Sequence, residues 1–553
     1  MQTSRSPLLI ASLASLFGFC VVGSCSKSGT SNDANGGAGG DQNGGGQGGD
    51  ASGGSQGGKV GLGGSGGQSG VAGAGGTAAG GTAGGAGQGA GGNAGAGGMG
   101  MNPDAGTAMD APAVRACKGT MKAGSGTGAQ VLRTDMAVRK VLDTPDDTTR
   151  LARDPVSQKL FLMTENGTIS RLDLAGQTWT RQVAYTPADI GLATGEKVYG
   201  LGFAADGTLY LVSNVPKAVS PTTSKATIWK GKVAAGARTW TKLAQTEAYG
   251  RSSTIFDHEW SGIAASPNGK FVYINAGSRT DHGEEHLGAR ESALTAKIFK
   301  LPTDKPAMIL LKDNLAELKA AGYVFAEGTR NSFDPEFAPN GDLLAGDNGP
   351  DADYHEELNF LQEGKHYGFP WRLGNEDNQM QFPTYDITMD KRRDPNYEAI
   401  KKGYWRNDPD FPAKPAISLA EPILNKGPDG NQYRNPTTGA IMKGDIATFS
   451  DHGSPLGLTF DQGAGDLCGN FNSAAFILRN GKAAGDFEEG RDLLLLTLTK
   501  QGGAYTTVAV TQIVEGFQSP VDAVLTGDKM WVLDRANSVS GGKLWEIDMP
   551  NGK

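Results

Sequence analysis

The sequence predicts an all-β fold, a six-bladed β-propeller of four-stranded antiparallel blades preceded by a disordered, glycine-rich tether. Three observations point there. Strand-turn-strand units with tight polar turns recur along the chain, and only one stretch, 314–321, carries a clear helical pattern. The front of the chain concentrates glycine and holds almost nothing bulky to bury, so no core can form there.

The first unit is Leu160-Phe161-Leu162 followed by Glu165-Asn166-Gly167, and the second runs 201–214 around Asp206-Gly207. The third is 263–276 around Asn268-Gly269, and the fourth is 337–346 around Asn340-Gly341. A fifth begins at Leu456-Gly457-Leu458-Thr459-Phe460, and the sixth is 521–534 around Gly527-Asp528. An Asn-Gly pair between two apolar runs marks a hairpin, because both residues tolerate the positive φ of a tight primed turn. Intervals of mostly roughly 50 to 70 residues suit blades of four strands with insertions. The loops at one end of a propeller channel converge, so residues far apart in sequence can share one site.

Ahead of the body, Arg5 and the apolar run 8–22 read as an export signal too short for a comfortable membrane span. Val22-Gly23-Ser24-Cys25 has the form of a bacterial lipobox, in which Cys25 becomes a lipidated first residue anchored to a membrane; an ordinary cleaved signal peptide is the alternative. The expected boundaries are 1–24 for the signal peptide, 25–112 for a Gly/Ala/Ser-rich linker and 113–553 for the propeller, facing the periplasm or the cell surface. As a flexible coil the linker would hold its ends on the order of 50 Å apart. Cys117 and Cys468 are the body's only cysteines. In an oxidising compartment they could pair; two isolated thiols are as readily just buried. A formal net charge of -8 without a basic cluster argues against nucleic acid as a partner.

The richest stretch is 327–370. It reads Glu327-Gly328-Thr329-Arg330-Asn331, then the hairpin around Asn340-Gly341, then Asp347-Asn348-Gly349-Pro350, Glu357-Leu358-Asn359 and Gly364-Lys365-His366-Tyr367-Gly368-Phe369-Pro370. This order resembles the soluble quinoprotein glucose and sorbosone (aldose sugar) dehydrogenases. Members carry Gly-x-Arg-Asn, a hairpin with a Pro-x-Gly turn, Gly-Pro, Glu-x-Asn and Gly-x-x-Tyr-Gly-Trp-Pro. Here Phe369 replaces the Trp, and the run between Pro350 and Glu357 is about two residues longer. The resemblance covers roughly 138–547 and thins toward the C-terminus.

The resemblance implies oxidation of an aldose at its C1 hydroxyl to a lactone. His258, in Asp257-His258-Glu259-Trp260 before the Asn268-Gly269 hairpin, matches the family's catalytic histidine; a neutral imidazole can take the hydroxyl proton as hydride leaves the same carbon. Asp257 would orient the base or the sugar. No side chain accepts hydride, so a cofactor is required, and no Gly-x-Gly-x-x-Gly opens a βαβ unit to bind nicotinamide or flavin; the resemblance implies pyrroloquinoline quinone (PQQ). Arg330, with Asn331 beside it, would stabilise negative charge on the quinone oxygen. The carbonyls of Gly349 and Pro350 match a Ca²⁺ site against the quinone, and Glu357 with the Tyr367 carbonyl matches a second, structural Ca²⁺ site.

Departures from the family pattern keep other functions open. The segment 516–522 has no positive charge where the family grips the cofactor's carboxylates; Gln518 to Val521 holds no arginine, and Lys482, Arg479 or Arg535 would have to substitute. Glu196 is the candidate for a first-blade polar contact to sugar. Asp451-His452-Gly453-Ser454-Pro455 is placed at the same mouth. A cofactor-free surface propeller binding carbohydrate or protein, or a calcium-dependent lactonase-type hydrolase, are the alternatives. Cys-x-x-Cys-His is absent, so electrons would leave to an external acceptor of unknown identity.

Overall fold

A run such as Leu160-Phe161-Leu162-Met163 is apolar at successive positions, and a strand of that kind must be covered on both faces. In the computed structural model of the chain, Leu160–Thr164 is buried at every residue. The outer strand of the same sheet, Thr178–Tyr185, is mostly exposed. That gradient arises because the sheets stand radially, each flanked by two others near the centre and wet at the rim. The described residues are 114–553 apart from 126–127, 177, 216–221, 253, 464, 483–486 and 536–540. The signal peptide, Cys25 and the linker expected at 1–112 lie outside the described residues.

Six sheets follow one another around the ring. Blade 1 spans 148–185, blade 2 197–246, blade 3 260–327, blade 4 336–361 and blade 5 455–515. Blade 6 takes Pro520–Thr526, Lys529–Asp534 and Gly542–Asp548, and its fourth strand is Ala137–Thr144 from the other end of the body, antiparallel to Gly542–Asp548. The apolar core is divided among the seams. One cluster joins Ala152, Phe161 and Met163 of blade 1 to Leu209 and Leu211 of blade 2, and comparable clusters fill every other blade interface round to Leu162 against Leu533.

Two expectations are corrected. Blade 4 has three strands rather than four: Glu336–Phe337, Leu343–Asp347 and Glu357–Leu361. After them the chain runs into Gly- and Pro-rich sequence that cannot supply a continuous ladder, and it makes an excursion from 362 to 454 before blade 5. The hairpin turns are also not primed. Gly167, Gly207, Gly269 and Gly341 have φ of +68 to +88°, while the Asn or Asp before each is not left-handed. Each of those side chains instead accepts the N–H two residues on, as Asn340 Oδ1 does from Asp342 at 3.1 Å. The turn is an Asx turn closed by glycine. The helix expected at 314–321 is present as Leu315–Ala320, capped by the Asn314 side chain on the Glu317 N–H.

Because strands alternate in direction, so do the connections. The tight turns after the first strand of blades 2, 3, 4 and 6 lie at one end of the ring. The inter-blade connections and those after each second strand lie at the other, including 247–259, 277–296, 328–335 and 348–356. The long excursion packs there too, through a cluster joining Phe256, Ala296 and Tyr354 to Phe369, Met380 and Trp405. The axis below is tight: a Cβ added at Gly202 or Gly262 would meet a neighbouring carbonyl oxygen at 2.4 or 2.2 Å. Arg150 fills it, bonding Tyr199 O at 2.6 Å, Phe333 O at 2.8 Å and Asp334 at 3.1 Å.

Candidate functional site

Four connections at the loop-rich end bring the predicted residues together. The 328–335 connection carries Arg330 and Asn331, and its backbone is clamped by Asp347: the carboxylate accepts the Arg330 N–H at 2.9 Å and also the Asn331 N–H. Asn331 Nδ2 donates to Asn348 Oδ1 at 2.8 Å, and Asn331 Oδ1 accepts from Asn275 Nδ2 at 3.1 Å. Ser278 N–H bonds the Arg330 carbonyl at 2.7 Å, and His258 N–H bonds the Ser278 carbonyl at 2.9 Å. Gly277 permits the approach, since a Cβ there would meet His258 Cβ at 2.3 Å and Asn331 Oδ1 at 3.2 Å. His258, Arg330, Asn331 and Asn348-Gly349-Pro350 are thus one contiguous surface.

Arg330 is 6% exposed. Its Nε donates to Asp281 O at 2.7 Å, its Nη2 to Asp281 Oδ1 at 2.9 Å and its Nη1 to Asn348 O at 3.2 Å. Three of about five guanidinium N–H groups are used, so two remain for a ligand oxygen. Asp281 is fully buried and also accepts from His282 Nδ1 at 2.8 Å and Trp405 Nε1 at 3.3 Å. The excursion thereby reaches the site through Trp405, whose ring stacks on His282 at 3.9 Å.

His258 is held well below the usual imidazole range, first by burial and then by the positive charges of Arg330 and Arg251. It is therefore neutral at pH 7. Its Nδ1 lies 3.3 Å from Ser278 Oγ, and Nε2 has no hydrogen-bond partner among the described residues. Asp257 does not hold the ring: its carboxylate accepts the Ser252 N–H at 3.0 Å and faces Arg251 Nε at 3.5 Å.

Of the Ca²⁺ candidates, expected at two separate sites, Gly349, Pro350 and Glu357 meet at one cavity and Tyr367 does not. A cavity of about 10 Å³, room for one water- or ion-sized particle, is lined by Arg330, Asp347, Asn348, Gly349, Pro350 and Glu357, among others. Asp347 and Glu357 are cross-strand partners. Glu357 is 7% exposed and accepts from Asn359 at 2.7 Å, so it is not a solvated surface carboxylate. Burial pushes its pKa well up and Asp347 adds to this, while Asp347 is raised to about 6 by burial. Two buried carboxylates beside Gly349 and Pro350 are the donor chemistry of a hard cation. Tyr367 is buried nearby, its hydroxyl on Phe360 O and its N–H on Glu327 O at 2.8 Å, and it does not line this cavity.

Other expectations are moved. Glu196 is taken up structurally, accepting from Ser213 Oγ at 2.5 Å and Ala193 N at 2.8 Å. Nearby, Glu165 stands between Lys197 at 3.0 Å, Tyr199 Oη at 3.3 Å and Arg535 at 3.3 Å. Of the proposed counter-charges, Arg479 is fully buried against Asp492 at 2.6 Å and is committed, whereas Arg535 shares Glu165 with Lys197. The N–H groups of Gln518 and Ser519 bond Asp534. His452 is buried on Asp353 at 2.6 Å rather than open to the mouth. Cys117 and Cys468 are disulfide-bonded. Asp281 and Ser278 went unnoticed in the sequence, and Asp347, although it heads the Asp347-Asn348-Gly349-Pro350 motif, was given no role there.

The sequence profile of the family described as Glucose / Sorbosone dehydrogenase matches residues 149–405. Quinoprotein glucose dehydrogenase B of Acinetobacter calcoaceticus is 26% identical over 151 residues, which is 24% of this chain and 30% of that protein's length. Among solved structures, the PQQ-bound aldose sugar dehydrogenase of Streptomyces coelicolor is similar at 16% identity over 78% of this chain and 99% of that one, with a TM-score of 0.45. The PQQ domain of pyranose dehydrogenase from Coprinopsis cinerea is similar at 12% identity over 77% of this chain and 98% of that one, with a TM-score of 0.49.

Proposed function

With residues 149–405 matching the glucose and sorbosone dehydrogenases, we propose that this protein is a PQQ-dependent aldose dehydrogenase that oxidises the C1 hydroxyl to the lactone. The observation that carries the reading is the convergence of His258 and Arg330-Asn331 at Gly277-Ser278, with Asn348-Gly349-Pro350 joined to them through Asn348. When bound, the quinone supplies the hydride acceptor that no side chain can provide. His258 Nε2 takes the hydroxyl proton, and the depressed pKa keeps it ready to do so at neutral pH. The two spare Arg330 N–H groups and the Asn331 amide would face the quinone oxygen. Lys197 and Arg535, which share the single carboxylate of Glu165, would supply countercharge for the quinone's carboxylates in place of the missing 518–521 arginines. The carbonyls of Gly349 and Pro350, with Asp347 and Glu357 beside them, would hold Ca²⁺.

We further propose export to an oxidising compartment, which the Cys117–Cys468 disulfide supports, and anchoring through Cys25 of the lipobox-like Val22-Gly23-Ser24-Cys25. Electrons then pass to an external acceptor.

The test is to add PQQ and Ca²⁺ to the purified full chain and follow its absorbance while titrating glucose and other aldoses. Stoichiometric uptake followed by sugar-driven reduction is expected, and His258→Ala should keep the cofactor while losing turnover. Failure to bind micromolar PQQ with Ca²⁺ would refute the reading and favour a carbohydrate-binding propeller, to which the uncharged 518–521 segment is suited.

A further inference from the structure

His258 has a nitrogen without a partner, and Ser278 decides which one. The Ser278 hydroxyl has a single hydrogen, and it is given to the Thr280 carbonyl at 2.8 Å. The same oxygen lies 3.3 Å from His258 Nδ1, so toward the ring it can only accept. Nδ1 must then carry the hydrogen, a form that the Ser278 backbone carbonyl beside the ring also favours. The arrangement is rigid, because Ser278 is tied through its carbonyl to the His258 N–H at 2.9 Å and through its own N–H to the Arg330 carbonyl at 2.7 Å. Burial and the flanking guanidinium groups keep the ring neutral, leaving one ring proton to place.

The geometry points to Ser278 as a positioning residue that fixes His258 in the Nδ1–H tautomer and leaves the Nε2 lone pair as the basic site. In the reverse tautomer Nε2 would carry a hydrogen and could not accept one from a sugar, while the basic nitrogen would face Ser278. The carboxylate adjacent in sequence, Asp257, cannot do this work because it is committed to Ser252 and Arg251. The tautomer assignment stands on these contacts alone; its weight in catalysis rests on the dehydrogenase reading.

The test uses the full chain labelled with [15N]histidine and long-range ¹H–¹⁵N correlation near pH 7 without cofactor, the His258 signals being identified by their loss in His258→Gln. A protonated Nδ1 and a lone-pair Nε2 are expected in the native protein. Ser278→Ala should admit the Nε2–H form, and Ser278→Thr, which keeps the hydroxyl, should not. In the PQQ-loaded protein, Ser278→Ala should lower kcat about tenfold with little change in KM, and Ser278→Thr should recover most of it. Nε2–H in the native protein, or a spectrum unmoved by Ser278→Ala, would overturn the assignment. The expected tautomer in a chain that binds no quinone would overturn the dehydrogenase reading and leave the assignment standing.

Discussion

Replacing Asp281 with Asn keeps the side chain's shape and removes the charge on which Arg330 depends. Asp281 is fully buried, Arg330 nearly so, and the bond between them is Arg330's one ion pair among the described residues. Asn keeps an acceptor for Arg330 and for the Asp351 N–H, both at 2.9 Å, but turns an NH₂ toward the His282 and Trp405 donors. Breaking a buried pair of this kind costs about 3–5 kcal/mol. At about 2.1 cal/mol/K of unfolding entropy per residue over roughly 420 described residues, the midpoint should fall by ~3–6 °C. Thermal unfolding followed by near-ultraviolet circular dichroism at pH 7 measures it, and a PQQ titration of the same variant should show weaker uptake. A shift below about 1 °C would show that Arg330 does not need Asp281.

His452 is raised to about 9 by the hydrogen bond to Asp353 and by the charges of Asp353, Asp351 and Asp451, against its burial. Its contribution to stability is full below about pH 6.5 and is lost as pH rises through about 9, on the order of 3 kcal/mol. The unfolding midpoint should decline over that window, and His452→Gln should remove that part of the decline; an identical pH profile in the variant would refute the pairing. The Cys117–Cys468 disulfide closes a loop of sequence separation 351, so reduction or Cys468→Ser should cost about 2–4 kcal/mol in denaturant unfolding. Equal midpoints with and without reductant would show that the link adds nothing to stability.

The hairpins were legible in the sequence because an Asx turn closed by glycine is made within about five residues. The same holds for the Asn314-capped helix and for the backbone motifs at Arg330-Asn331 and Asn348-Gly349-Pro350. What each turn's φ would be was less legible, since the Asn side chain competes with the backbone for the next N–H. Partnership across blades was not legible at all. Glu165 and Glu196 are alike in sequence as acids near the first inter-blade connection, and only packing gave one to Lys197 and Arg535 and the other to Ser213. Blade 4 lost its fourth strand to an excursion whose burial depends on Phe256 and Ala296, far away in the chain. By itself the sequence determined the repeated local turns, the apolar strands that must be covered and the polar residue types gathered in 327–370. Only the tertiary structure decided that Asp281 holds Arg330, that Ser278 rather than Asp257 meets His258, and that Asp347 joins Glu357 beside Gly349 and Pro350. Burial makes each unpaired charge or donor costly, so partners are chosen by proximity in the folded ring, a relation that spacing along the chain does not encode.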